Sequence, residues 1–167
     1  MSAKFTIAAL ALGLSTTMVQ AQEFTFSSRN LTTETALTAA QAALQSCRDS
    51  GYQVAVSVTD RMGNPVAVLR DRFAGAHTAE TATRKAYTAA SFRMDTTSLA
   101  NETRAGQAAS GIRQVTHILA LGGGLPIETA GTLVGAIGVS GAPGAEADDG
   151  CGQAGIDAIQ DDLDLEF

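Results

Sequence analysis

The stretch Leu133–Gly155, LVGAIGVSGAPGAEADDGCGQAG, constrains what this chain can fold into more than any other. Leu133 to Ser140 reads as a buried strand. One face would carry Leu133, Gly135, Ile137 and Val139. The other would carry Val134, Ala136, Gly138 and Ser140, which are small. A strand so poor in bulk lets another backbone, or a flat ligand, come close. The run turns at Gly141-Ala-Pro-Gly144 and enters a helix, read as Asp148 to Asp162, with Asp148 and Asp149 favourable to the dipole at its start. Cys151, Ala154, Ala158 and Ile159 are its expected inner face, and Asp161–Phe167 an acidic, frayed tail. Gly150, Gly152 and Gly155 each cost about 1 kcal/mol against Ala in a helix, which makes sense beside a very near surface.

The other elements follow from periodicity. Asn30 to Ser50 is a helix capped by Asn30 or Thr32, with Leu37, Ala40, Leu44 and Cys47 as its apolar stripe and Gly51 as its stop. Val54 to Asp60 alternates as a strand, Asp60–Asn64 turns, and Val66 to Arg70 returns, making a β-hairpin. Thr78 can cap a helix Ala79–Phe92, whose Ala79, Ala82, Ala86 and Ala89 share a face. Met94 to Gly111 is a second, less regular helical piece capped near Asp95 or Thr96. Val115 to Leu121 is read as a strand, and Gly122-Gly-Gly124 as a hairpin turn, since it lacks a phosphate-loop pattern. Phe24 and Phe26 lie in a short strand or a docking arm. The order predicts an α+β domain, one antiparallel sheet flanked by helices, over residues 22–167.

Residues 1–21 read as a secretory signal peptide. Lys4 is followed by apolar Phe5–Leu14 and a small-residue cleavage site at Val19-Gln-Ala21. This places the protein in the periplasm or outside the cell, with no membrane span in the mature chain. Loss of Lys4 would move the net charge from −6 to about −7. So acidic a chain is a poor partner for nucleic acid or anionic membrane. Export permits a disulfide between Cys47 and Cys151, the two cysteines present. Two buried thiols or a soft metal ligand are the competing readings.

His77 is expected at a helix N-terminus, a place that suits a neutral imidazole, and only a neutral imidazole can ligate iron or zinc. Arg72, Arg84 and Lys85 flank it and could pair with carboxylates of a ligand. An exposed loop histidine is the bland alternative. His117 sits among Val115, Ile118 and Leu119, where a half-buried histidine bonded to backbone is the bland reading. Ser140 does not stand in a nucleophile elbow. No metal-spaced Cys/His cluster and no evident acid–base pair appear.

Three segments together resemble a known family. They are Val56–Gly63 (VSVTDRMG) running into Val68–Asp71; Gly75–Ala89 (GAHTAETATRKAYTA); and Gly123–Ile127 (GGLPI) with Gly135–Gly141 (GAIGVSG), Asp149-Gly-Cys151 and Ala154-Gly155. The chain is similar to the GlcG/HbpS-like haem-binding proteins, related to the C-terminal domain of PduO-type proteins. The resemblance implies a profilin-like three-layer arrangement, homo-oligomers from dimer up to octamer, and haem or a related tetrapyrrole as cofactor. It implies a protein that captures, buffers or senses haem, with His77 as iron ligand, His117 as second choice, Arg72, Arg84 and Lys85 on the propionates, and Tyr87 and Thr88 in the pocket wall. Relatives linked to glycolate use imply an alternative, an enzyme or accessory binding a small organic acid. A structural or partner-binding oligomer is the third reading. The haem reading pictures a slot between Gly/Ala faces that takes the flat macrocycle.

Overall fold

The computed structural model describes residues 24–166. The signal-peptide reading of residues 1–21 lies outside them. Helix α1 (Thr33–Asp49) begins where Thr32 accepts a hydrogen bond from the Thr35 amide. The hairpin β1 (Ala55–Asp60) and β2 (Pro65–Arg70) follows as read. Asp60 holds its turn, with Oδ1 accepting from the amides of Met62 and Asn64. Then come α2 (Thr78–Phe92), α3 (Thr96–Glu102) and a 3-10 turn at Ser110–Gln114. The second hairpin, β3 (Gly124–Thr129) and β4 (Thr132–Ser140), leads into α4 (Ala145–Leu165). The four strands form one antiparallel sheet in the order β2-β1-β4-β3. Helices α1 and α4 pack together on one face, and α2 lies across the other. This is the expected α+β, three-layer arrangement.

Strand β4 is buried along both faces. Its bulky face, Ile137 and Val139, joins the main core with Val54, Val56 and Val58 of β1 and the apolar sides of α1 and α4. Its small face meets α2. A Cβ on Gly138 would collide with the carbonyl oxygen of Ala82 and lie 2.6 Å from the amide nitrogen of Ala86. Ala136 packs on Ala89 and Ala90. The alanine stripe of α2 and the small stripe of β4 exist to let helix and sheet backbones touch. The expected slot for a flat macrocycle is therefore closed by a helix, so a ligand must sit elsewhere.

Several local readings need correction. The buried side of α1 is Ala36, Ala39, Ala40, Ala43, Leu44 and Cys47, and Leu37 is exposed. Its phase is set by α4, which crosses so closely that a Cβ on Gly155 would lie 2.7 Å from the Ala39 carbonyl oxygen. The inner face of α4 is accordingly Cys151, Gly152, Gly155, Ile156, Ile159 and Leu163, while Ala158 is exposed and Ala154 half-buried. The helix runs on to Leu165, because Leu163 packs in the core and the Thr129 hydroxyl bonds Asp164. Helix α2 starts one residue early: Thr78 is inside it, and its hydroxyl donates to the Gly75 carbonyl instead of capping. Val115–Leu121 is not a strand. It is a loop in which His117 has φ +70°. The hairpin turn is at Ala130-Gly131, and Gly124 opens β3. Phe24 and Phe26 belong to no strand and are exposed.

Cys47 and Cys151 form a disulfide that ties α1 to α4, with Cα atoms 5.4 Å apart. No helix among the described residues is long and apolar enough to cross a membrane.

Candidate functional site

The loop after β2, the end of β4 and the first turn of α4 surround an open cavity of about 570 Å³. Its rim carries His77, Phe73 and Leu121, and its floor carries Lys85, Ser140 and Asp148. Phe73 is 81% exposed and Leu121 48%, so both leave apolar surface uncovered at the opening. His77 is exposed at the N-cap position of α2. Its ring folds back over Gly75, where a Cβ would lie 2.7 Å from Cε1.

The loop that carries Phe73 and His77 is pinned at its base. Asp71, itself buried, accepts from Arg48 Nε at 2.7 Å and Nη2 at 3.0 Å, a two-pronged contact with α1. The guanidinium holds the Asp71 carboxyl well below its ordinary 3.8, at about 2. A folded value below the unfolded one means that the clamp stabilises above the unfolded value. It is lost as pH falls through the folded one. Arg48→Ala should therefore lower the thermal stability near neutrality, and the gap from wild type should close between about pH 4 and pH 2. A gap that stays constant over that range would contradict the clamp.

At the floor, Lys85 is only 2% exposed. Its Nζ donates to Asp148 Oδ2 and to the Val139 carbonyl, each at 2.8 Å. Burial pushes the Asp148 carboxyl up, while the hydrogen bond from Lys85 pulls it down. Asp148 Oδ1 accepts from the Ala142 amide at 3.1 Å, which fixes the turn between β4 and α4. Asp149 does the same for the glycine run: Oδ1 accepts from the Gly123 amide at 2.7 Å and Oδ2 from the Thr97 hydroxyl at 2.6 Å. The two aspartates are thus more than dipole partners. They bind the turns that shape the cavity.

The sequence-predicted residues divide. His77 and Lys85 reach the cavity. Arg84 donates instead to the carbonyls of His117 and Ile118. Thr88 is buried and accepts from the Leu119 amide at 2.9 Å. Tyr87 meets His117 edge-on, with ring centres 6.2 Å apart. These three hold the 115–119 loop against α2. Arg72 is exposed, and its amide donates to Asp71 Oδ1. His117 is exposed rather than half-buried. The sequence reading missed Phe73, Leu121 and Asp148 as cavity residues, and set Ser140 aside. No spacing links them, since four separate segments supply them. Among the described residues no group of three or more His, Cys, Asp or Glu is placed to hold a metal ion.

The family model described as haem degrading protein HbpS-like matches residues 31–157. The chain belongs to the HbpS-like family. A doubly substituted HbpS from Streptomyces reticuli is 35% identical, with 86% of this chain and 97% of that chain aligned and a TM-score of 0.78. The protein ORFY of Klebsiella pneumoniae is 26% identical over 84% of this chain and 97% of its own, with a TM-score of 0.80. A PduOC–haem complex is 26% identical over 78% and 95%, with a TM-score of 0.72. Among curated protein sequences nothing matches. The HbpS-like match spans every element from α1 into α4, so the cavity lies wholly within the shared fold.

Proposed function

We propose that this HbpS-like protein binds haem, or a closely related tetrapyrrole, at the cavity between the β2–α2 loop and the first turn of α4. The observation that carries the reading is the rim: an exposed imidazole, His77, beside two exposed apolar side chains, Phe73 and Leu121. Family membership and the haem-bound PduOC relative support it. The residues fit the group. A neutral imidazole is a common axial ligand of haem iron, and apolar walls set its exposure to solvent. The cavity volume falls in the range of roughly 300–1,000 Å³ usual for ligand sites. A bound haem would supply an iron able to bind small molecules or change oxidation state. The chain's own part is to present His77 on a loop braced by Arg48–Asp71, to cover apolar surface with Phe73 and Leu121, and to offer Lys85 below.

The protein is proposed to work outside the cytoplasm, capturing, buffering or sensing haem. The leader-like residues 1–21 and the Cys47–Cys151 bridge support export. Assembly into homo-oligomers, from dimers up to octamers, is proposed as well. Exposed Phe24, Phe26, Met62 and Val68 leave apolar surface for it to cover, and light scattering after gel filtration measures the state.

Hemin added to the purified protein should give a saturable Soret band. His77→Ala should weaken binding by more than about tenfold, since even an outer partner of a metal ligand is worth ~10–100-fold. An absorbance unchanged by hemin would end the haem reading. An unaltered affinity in His77→Ala would move the iron ligand elsewhere.

A further inference from the structure

We propose that the cavity floor built from Ser140, Lys85 and the first turn of α4 is a carboxylate-binding site. It would take a propionate of the tetrapyrrole or the carboxylate of a free small acid. Its haem arm rests on the function proposed above, and its small-acid arm does not.

Three donors converge there. Ser140, at the end of β4, is 6% exposed and lines the cavity. Among the described residues its hydroxyl makes no hydrogen bond within the protein. A hydroxyl that faces the cavity with no partner in the protein is a ready donor to an anion. Lys85 has three N–H bonds, of which two go to Val139 and Asp148. Helix α4 starts at Ala145 after Gly144, which has no side chain with which to cap it. Its earliest amide with a partner inside the helix is that of Asp148, bonded to Gly144. The amides before it are open to an anion, and the helix dipole favours one. Gln53 lines the same cavity, and its Oε1 is buried without a partner.

The neighbouring charges permit this. Asp148 is matched by Lys85, so the pair adds no net charge. Asp149 is spent on Gly123 and Thr97. Glu146 is exposed in the first turn and is the one acidic group there with water to screen it.

The test compares hemin, hemin dimethyl ester and sodium propionate, each titrated into wild type and into Ser140→Ala. Ser140→Ala removes one small hydroxyl and should fold. Hemin should bind wild type about tenfold tighter than its ester, the effect of one hydrogen bond to a charged group. Ser140→Ala should close most of that gap and leave the ester's affinity unchanged. Propionate alone should saturably shift the amide resonances of Ala145, Glu146 and Ala147, and less so in the variant. If neither hemin nor ester binds but propionate still shifts those amides, the floor stands and the haem reading falls. If hemin and ester bind alike and propionate moves nothing, the floor site is overturned and the haem reading survives.

Discussion

Replacing Cys47 and Cys151 together by alanine should lower the stability of the protein by about 4–5 kcal/mol, the value the chain-entropy model gives for a loop of this length. The bridge joins residues 104 positions apart, which span the whole sheet between α1 and α4. In the unfolded chain it forbids most separations of those two helices. In the folded one both cysteines are almost fully buried between packed helices. Alanine suits that site, because both cysteines belong to the apolar main core and their loss leaves no polar group stranded. The helices should still dock, since Gly155 rests on the Ala39 carbonyl without help from sulfur. The expected variant is native in far-ultraviolet dichroism with a much lower denaturation midpoint. For wild type, adding a thiol reductant under mildly denaturing conditions should reproduce the shift. A loss below about 1 kcal/mol would mean that packing alone holds α1 against α4.

Asp148→Ala should cost about 3–5 kcal/mol, the usual consequence of stranding one member of a buried ion pair. It leaves the Lys85 ammonium, 2% exposed, with the Val139 carbonyl as its remaining partner. It also removes the acceptor of the Ala142 amide. The decisive comparison is the double variant Lys85→Met with Asp148→Leu. Removing both charges removes the desolvation cost along with the attraction, so the double variant should be more stable than Asp148→Ala. Urea midpoints of the three proteins settle the point. If the double variant is no better than Asp148→Ala, the charges do not act as a pair and the loss comes from the turn at Ala142. The double variant also removes a floor donor, so it should lose the preference for hemin over its ester.

Much of the fold is legible in the sequence because it rests on short-range patterns. Alternation in Val54–Asp60 and Val66–Arg70 specifies a two-stranded ribbon, and the Asp60–Asn64 turn closes it through one carboxylate. Thr32 caps α1 as a hydroxyl before a periodic run should. The small face of β4 announces that something must come very close. It does not say what comes, and the occupant is a helix backbone. Val115–Leu121 has strand-like composition, yet it pairs with no strand of the sheet. Its backbone groups are satisfied by Arg84 and Thr88 from α2 instead. The site was legible in part. His77 stands out as an imidazole at a helix start beside a recognisable family segment. The sequence suggests a cation free for a ligand at Lys85, whereas its charge is matched inside the protein by Asp148.

The sequence by itself determined the helices, the first hairpin, the strand β4 with the close approach it awaits, and the family to which the chain belongs. These follow from side-chain period, caps and turn residues, all of which act within a few positions. Only the tertiary structure decided the phases of α1 and α4, the closing of the small-residue face by α2, the bridge between Cys47 and Cys151, and the partnership of Lys85 with Asp148. Lys85 and Asp148 are 63 positions apart, so no spacing rule can pair them. They meet because α2 and the start of α4 reach the same end of β4 from opposite faces of the sheet, where burial leaves each charge little besides the other.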